Sequence, residues 1–195
     1  MSPDNENPVQ FARRLYDNVY GWYQSADTKA QVVLAIDGGF LTFLTGAIFA
    51  KPSDLKAVVG SFSNWTSALL VLMTFCLVAS IMSAMYCLRS RTYTAAQLRQ
   101  FVEIVPAENG NSTPYPPKVM LFFQMVAVLE ETRFCGTLKA INGSFEIEAL
   151  ASQIQILSRN VQKKHRAVNA GFVLAATTLI LFLFSGLSYL VDAWS

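Results

Sequence analysis

Charged residues are scarce in this chain, at 14% of 195 positions, against about 25% in an ordinary soluble protein. A chain that is also 53% hydrophobic is not disordered, and it is a poor match to a soluble globule. Histidine is scarcer still. With His165 alone, a histidine-rich metal cluster is excluded, and no serine or cysteine nucleophile has a histidine base and a third orienting group in any motif. There is no phosphate-binding glycine loop and no GxGxxG. No enzyme, no cofactor and no metal centre is therefore expected. Cys76, Cys87 and Cys135 show no CxxC spacing, so they read as packing thiols and not as disulfides or zinc ligands. A net charge of +2 gives no reason to expect a nucleic-acid partner.

The missing charge has an address. Gln31–Ala50, Thr66–Leu88 and Ala167–Val191 contain one formal charge between them, Asp37. Each window supplies the roughly 20 apolar residues that a helix needs to cross a hydrocarbon core of about 30 Å. The expected fold class is therefore an all-α membrane protein with three transmembrane helices and a cytoplasmic helical bundle. Ten of the 15 basic residues lie in Arg89–Arg166, and only Lys51 and Lys56 lie in the loop between the first two windows. The positive-inside rule then puts the N-terminus and the long segment in the cytoplasm of an inner-membrane, multi-pass protein. The opening MSPDNENP has no early basic cluster, so no cleaved signal peptide is expected. The resulting plan is a flexible N-terminus (1–10), an amphipathic helix (11–30), span one (31–50), a periplasmic loop (51–65), span two (66–88), a cytoplasmic helical region (89–166), span three (167–191) and a periplasmic tail (192–195). Sequons at Asn64, Asn111 and Asn142 sit at a span or on the cytoplasmic side, and none is read as glycosylated.

Phe11, Leu15, Val19, Trp22, Tyr23, Ala26 and Ala30 mark one face of a helix, with Arg13, Arg14 and Asp17 opposite. No proline or glycine interrupts Trp22–Ile36, so this helix and span one can be continuous. Tyr93–Val105 can extend span two, and Pro106–Pro117 is a loop by composition. The apolar run Val119–Leu129 is expected to resume as helix and pack in the cytoplasmic core. Asn142-Gly143-Ser144 breaks it, and Ser144 can cap the next helix, with Glu146 and Glu148 at the positive end of its dipole. In that last helix Ile147, Leu150, Ile154, Leu157 and Val161 form a heptad seam that runs on to Lys164 and Val168. Unbroken from Glu146 to Val191, it is a lever of about 70 Å at 1.5 Å per residue.

A lysine on a buried seam needs a carboxylate, a phosphate or water. Lys164 therefore either snorkels beside Lys163 and Arg166, pairs with Asp27, or helps form an anion site with Asn160 one turn earlier; Lys29 lies at similar depth. Asp37, inside span one, is a functional candidate because intramembrane ionisable groups usually face a bundle interior or a water path. Gly38, Thr42 and Gly46, then Ala79, Ser80, Ser83 and Ala84, then Gly171 and Ala175 are small-residue faces. They suit either contacts in a homo-oligomer or packing within one chain.

Ala26-Asp27-Thr28-Lys29-Ala30 leading into VVLAIDGG, the Leu121-Phe122-Phe123 run after a proline-rich loop, and QIQILSRNVQKKHRAV entering the last window resemble the transmembrane effector family of the Pycsar antiphage system. The resemblance spans about Phe11 to Val191. It implies a bacterial inner-membrane effector whose cytoplasmic part binds cyclic UMP or cyclic CMP made by a partner pyrimidine cyclase, after which the spans damage the bilayer and growth stops. Members of that family often carry an amide where this chain has Asp37, and some carry an attached HD-type phosphohydrolase domain, for which this chain has neither length nor histidines. For such a ligand, Lys164 or Lys29 would meet the phosphate, Trp22, Tyr23, Phe122 or Phe123 would stack on the base, and Asn160 would read its edge. Rival readings are a ligand-independent membrane scaffold or adaptor, and a channel-type effector of another nucleotide-signalling defence system.

Overall fold

A computed structural model describes residues 7–50, 59–60, 62–89 and 114–194, with the side chains of 47, 48, 50, 123 and 193 set aside. Among the described residues all regular structure is helical: α1 (Pro8–Ala50), α2 (Asn64–Leu88), α3 (Pro117–Met120), α4 (Phe123–Val126), α5 (Glu131–Lys139) and α6 (Gly143–Trp194). The expected extension of span two over Tyr93–Val105, and most of the Pro106–Pro117 loop, lie outside the described residues. Contacts divide the chain into two units, Met1–Tyr23 with Ser90–Val161, and Gln24–Arg89 with Gln162–Ser195. Both α1 and α6 run through a unit boundary without a break.

Among the described residues, two helices are long and apolar enough to cross a membrane, Asn64–Leu88 and the helix within Gly143–Asp192. Their sequences are apolar around most of the circumference, as lipid requires. The second unit is packed accordingly. Apart from Cys76, its buried positions are spaced in threes, fours and sevens: Ala26, Ala30, Val33 and Asp37 on α1; Thr66, Met73, Leu77, Ser80, Ala84 and Cys87 on α2; Lys164, Val168, Gly171, Ala175, Thr178 and Ser185 on α6. That heptad rhythm is the signature of helices meeting along coiled-coil seams. Small residues fill the seams, while Phe75, Val71, Leu183 and Val191 point outward and are each at least 65% exposed. Gly171 shows why size matters, since a Cβ there would lie 3.5 Å from Val33 Cγ1 and 3.7 Å from the Ser80 carbonyl.

α6 runs 52 residues from Gly143 to Trp194, longer at both ends than the expected helix. Asp192, expected in a tail, is in its last turn. There Asp192 Oδ2 accepts a 3.1 Å hydrogen bond from Thr66 Oγ1, which also contacts Ser188 Oγ at 2.7 Å. Ser63 caps α2 beside them by accepting from the Thr66 amide at 3.2 Å. The other end of α6 corrects the expected cap. Asn142 Oδ1, not Ser144, accepts from the Phe145 amide at 2.9 Å, and the Ser144 hydroxyl donates to the same oxygen. Asn142 directly precedes the first helical residue, so Phe145 is the third, the amide an N-cap side chain reaches.

The first unit is smaller-scale. Val119–Leu129 is not one helix but two single turns, α3 and α4, separated at Leu121. A short apolar run without an internal cap gains little from helix propagation, and among its described side chains only Met120 and Met125 are buried. Tyr115 fixes the run to α5. Its amide donates to Thr137 Oγ1 at 2.9 Å, its hydroxyl accepts from the Glu130 amide at 3.2 Å, and the Arg133 guanidinium stands 4.2 Å over its ring. On α1 the buried line is Ala12 and Val19. Phe11 and Trp22, expected on that face, are instead more than half exposed, because the seam is set by small residues seven apart and the large rings fall on its flanks.

Candidate functional site

Lys164 sits on the α6 seam and is nine-tenths buried. Its ammonium donates to Asp27 Oδ1 on α1 at 2.5 Å, the carboxylate keeping 29% of its side chain exposed. This is the ion pairing that the sequence left open as one of three fates for the lysine. Physically it is required, because an unpaired ammonium on an apolar seam costs several kcal/mol, on the order of 3–5, once its partner is removed. The surrounding seam is the cluster of Ala26, Ala30, Val33, Ala84, Cys87 and Val168, and the Cys87 thiol makes a weak 3.6 Å contact to the Ala26 carbonyl.

Two turns beyond Ala30, the intramembrane candidate Asp37 is almost fully buried. Ser80 Oγ lies 2.6 Å from Asp37 Oδ2 and 3.0 Å from the Gly171 carbonyl oxygen. A hydroxyl has one proton and serves one acceptor at a time; both contacts hold at once only when the Asp37 carboxyl, or an amide in its place, brings a proton of its own. One turn along α2, Ser83 donates to the Ala167 carbonyl at 2.7 Å. The small-residue face of α2 is thus used within the chain, against α6. The α1 face of Gly38 and Gly46 is different, for a Cβ at either would meet nothing within 4 Å among the described residues.

Lys29 is exposed on α1. Trp22, at 56% exposure, and the half-buried Tyr23, Phe122 and Asn160 belong to the first unit. The Phe123 side chain lies outside the described residues.

Within the first unit there is a cavity of about 320 Å³ that sequence reasoning missed. Phe134 and Leu138 of α5, Met120 of α3, and Phe145 and Leu150 of α6 line it, with the Arg13–Glu146 pair at its polar side. Arg13 Nε donates to Glu146 Oε1 at 2.5 Å and Nη2 to Oε2 at 2.9 Å, a fork-on-fork geometry that only arginine offers a carboxylate. Hydrogen bonding from Arg13 holds the Glu146 carboxyl below the usual carboxylate range, and the same bonds push the guanidinium upward. These partners are 133 residues apart, so no local pattern joins them. The sequence signal was limited to Glu146 in the first turn of a helix.

A helical membrane protein with a polar-threaded, small-residue bundle and a separate helical unit holding an apolar cavity is the class these observations define. Residues 11–191 match the sequence model described as the Pycsar effector protein domain. The chain belongs to that family, which makes it an antiphage defence effector of the membrane. No curated protein and no solved structure matches it.

Proposed function

We propose that this effector senses a cyclic pyrimidine mononucleotide, cyclic UMP or cyclic CMP, in its cytoplasmic unit and then impairs the inner membrane, arresting growth or killing the infected cell. The observation that carries the proposal is the family match over 11–191, which takes in both units and both unit-crossing helices. A pyrimidine cyclase supplies the messenger, and the protein itself performs no catalysis and needs no cofactor. The apolar part of α1, with Val32, Leu41, Phe43 and Phe49 exposed, serves as a third span beside α2 and the C-terminal part of α6. The N-terminus is then cytoplasmic, in keeping with the distribution of basic residues. The open Gly38–Gly46 face suits contact with a second copy of the chain, which a bundle of only three spans needs to breach a bilayer.

Ligand binding changes the spans only through a different affinity for two packings of the helices. α1 and α6 are the covalent route, since each begins in the first unit and ends in the second. Lys164 and Asp27 lie just inside the second unit on these two helices, so their ion pair is placed to set the resting packing. Asp27 and Lys164, two of the eight sequence candidates, thus take a role in transmission.

The test is a binding titration of the detergent-purified full chain against cyclic UMP, cyclic CMP, cyclic AMP and cyclic GMP. Saturable binding of one pyrimidine nucleotide is expected. Binding to none of the four sinks the sensor reading and favours a ligand-independent scaffold or an effector tuned to another nucleotide.

A further inference from the structure

Resting on that reading, we infer that the nucleotide is held in the first unit's cavity between α5 and the start of α6, with Arg13 as the phosphate ligand. Size is the first argument. A cavity of about 320 Å³ is at the small end of the roughly 300–1,000 Å³ range of small-molecule sites, the size of site a mononucleotide needs.

The second argument is chemical. A cyclic mononucleotide has one flat, largely apolar base and one phosphodiester charge. Phe134 and Phe145 supply ring surface inside an otherwise aliphatic wall of Met120, Leu138 and Leu150. Arg13 has five N–H donors, of which the Glu146 fork uses two. Its side chain is 62% exposed, so the other three donors are within reach of a phosphate without any loss of the ion pair. The anion also lies by the first turn of α6, where the positive end of a 52-residue helix dipole favours it.

The third argument concerns the base edge. Glu146 lines the cavity, and the two bonds from Arg13 keep it a carboxylate, so it accepts from the N3–H of uracil or the N4 amine of cytosine. An acceptor beside an aromatic wall suits a pyrimidine edge.

The experiment combines hydrogen exchange and titration on the full chain in detergent, with cyclic UMP and cyclic CMP as probes. Saturating nucleotide is expected to slow amide exchange over Glu131–Leu150 and around Arg13. Arg13→Gln weakens binding about tenfold or more, as loss of a charge-assisted contact does, and Leu138→Trp, which fills the cavity from an exposed position on α5, abolishes it. Lys139→Gln, which removes a neighbouring charge outside the cavity, leaves the affinity unchanged. Because hydrogen exchange is read on the unmutated chain, misfolding of a variant does not blur the answer. If the wild type binds but protection falls elsewhere, or both cavity variants bind as the wild type does, this site is wrong while the sensor reading stands. If the wild type binds neither probe, both fall together.

Discussion

The two units solve the packing problem in opposite ways. In the first, apolar side chains such as Met120, Met125, Leu150 and Tyr115 turn inward, and the charged pair Arg13–Glu146 stays partly in water. In the second, Asp37, Ser80, Thr66, Thr178 and Lys164 are inside while Phe75, Leu183, Phe184 and Val191 face out. Water selects the first arrangement through the hydrophobic effect. Lipid removes that drive, so helices in the second unit associate through close contact of small residues and hydroxyl-to-backbone bonds such as Ser83 to Ala167. The contrast argues for two solvents acting on one chain, and it exposes different weak points in each unit.

The largest effect is expected where the second unit is tightest. Gly171→Leu forces a side chain against Val33 and the α2 backbone, and over-packing of this kind costs about 3 kcal/mol at the upper end of its usual range. Gly171→Ala, which adds a Cβ at ordinary contact distance, is tolerated. Thermal unfolding in detergent distinguishes the two, and equal effects would mean that α6 does not meet α1 and α2 there.

Next comes the ion pair. Lys164→Met leaves Asp27 without its cation and costs about 1–3 kcal/mol, discounted for the partly exposed carboxylate. The double change Lys164→Met with Asp27→Leu recovers most of the loss, because replacing both partners removes the unmet charge. A double-mutant cycle with no coupling would remove the pair from the account.

Asp37 follows. Asp37→Asn is expected to be near neutral, since an amide donates to Ser80 Oγ while the serine hydroxyl donates to Gly171. Asp37→Leu leaves the buried hydroxyl one partner short and costs about 1 kcal/mol. Equal melting temperatures for the two variants would show that the three-way contact is dispensable.

The smallest effect belongs to the first unit's exposed pair. Glu146 has its carboxyl held low by Arg13, so the stabilisation is present at neutral pH and is lost as pH falls through that lowered value, below the ordinary carboxylate range. Arg13→Gln should abolish this acid-side loss and the accompanying salt sensitivity while changing neutral-pH stability little. An unchanged acid profile in the variant would separate the pair from the unit's pH response.

Much of the second unit was legible because lipid writes itself into composition. The charge-free windows located α2 and the membrane part of α6, and of the predicted seam Leu150, Val161, Lys164 and Val168 are buried, while Ile147, Ile154 and Leu157 are only partly so. Lys164's need for a partner was readable too, and Asp27 was among the named possibilities. Ser80 as the partner of Asp37 was not, since 43 residues separate them and a serine within a small-residue face carries no mark of what it meets. The first unit was harder. Its cavity is assembled from α1, α3, α5 and α6, and Arg13 looked like any water-facing arginine until the fold placed it against Glu146. Asn142 was passed over as a cap because Asn, Gly and Ser stand side by side, and composition alone does not choose among them.

The central claim is that a cyclic pyrimidine nucleotide turns this membrane protein from harmless to damaging. Its most direct test is release of a trapped dye from liposomes reconstituted with the full chain, with cyclic UMP or cyclic CMP added to the exposed cytoplasmic face and cyclic AMP and cyclic GMP as comparisons. The account predicts release with one pyrimidine nucleotide and silence with both purines. Release that ignores the nucleotide, or none with any of the four, would contradict it.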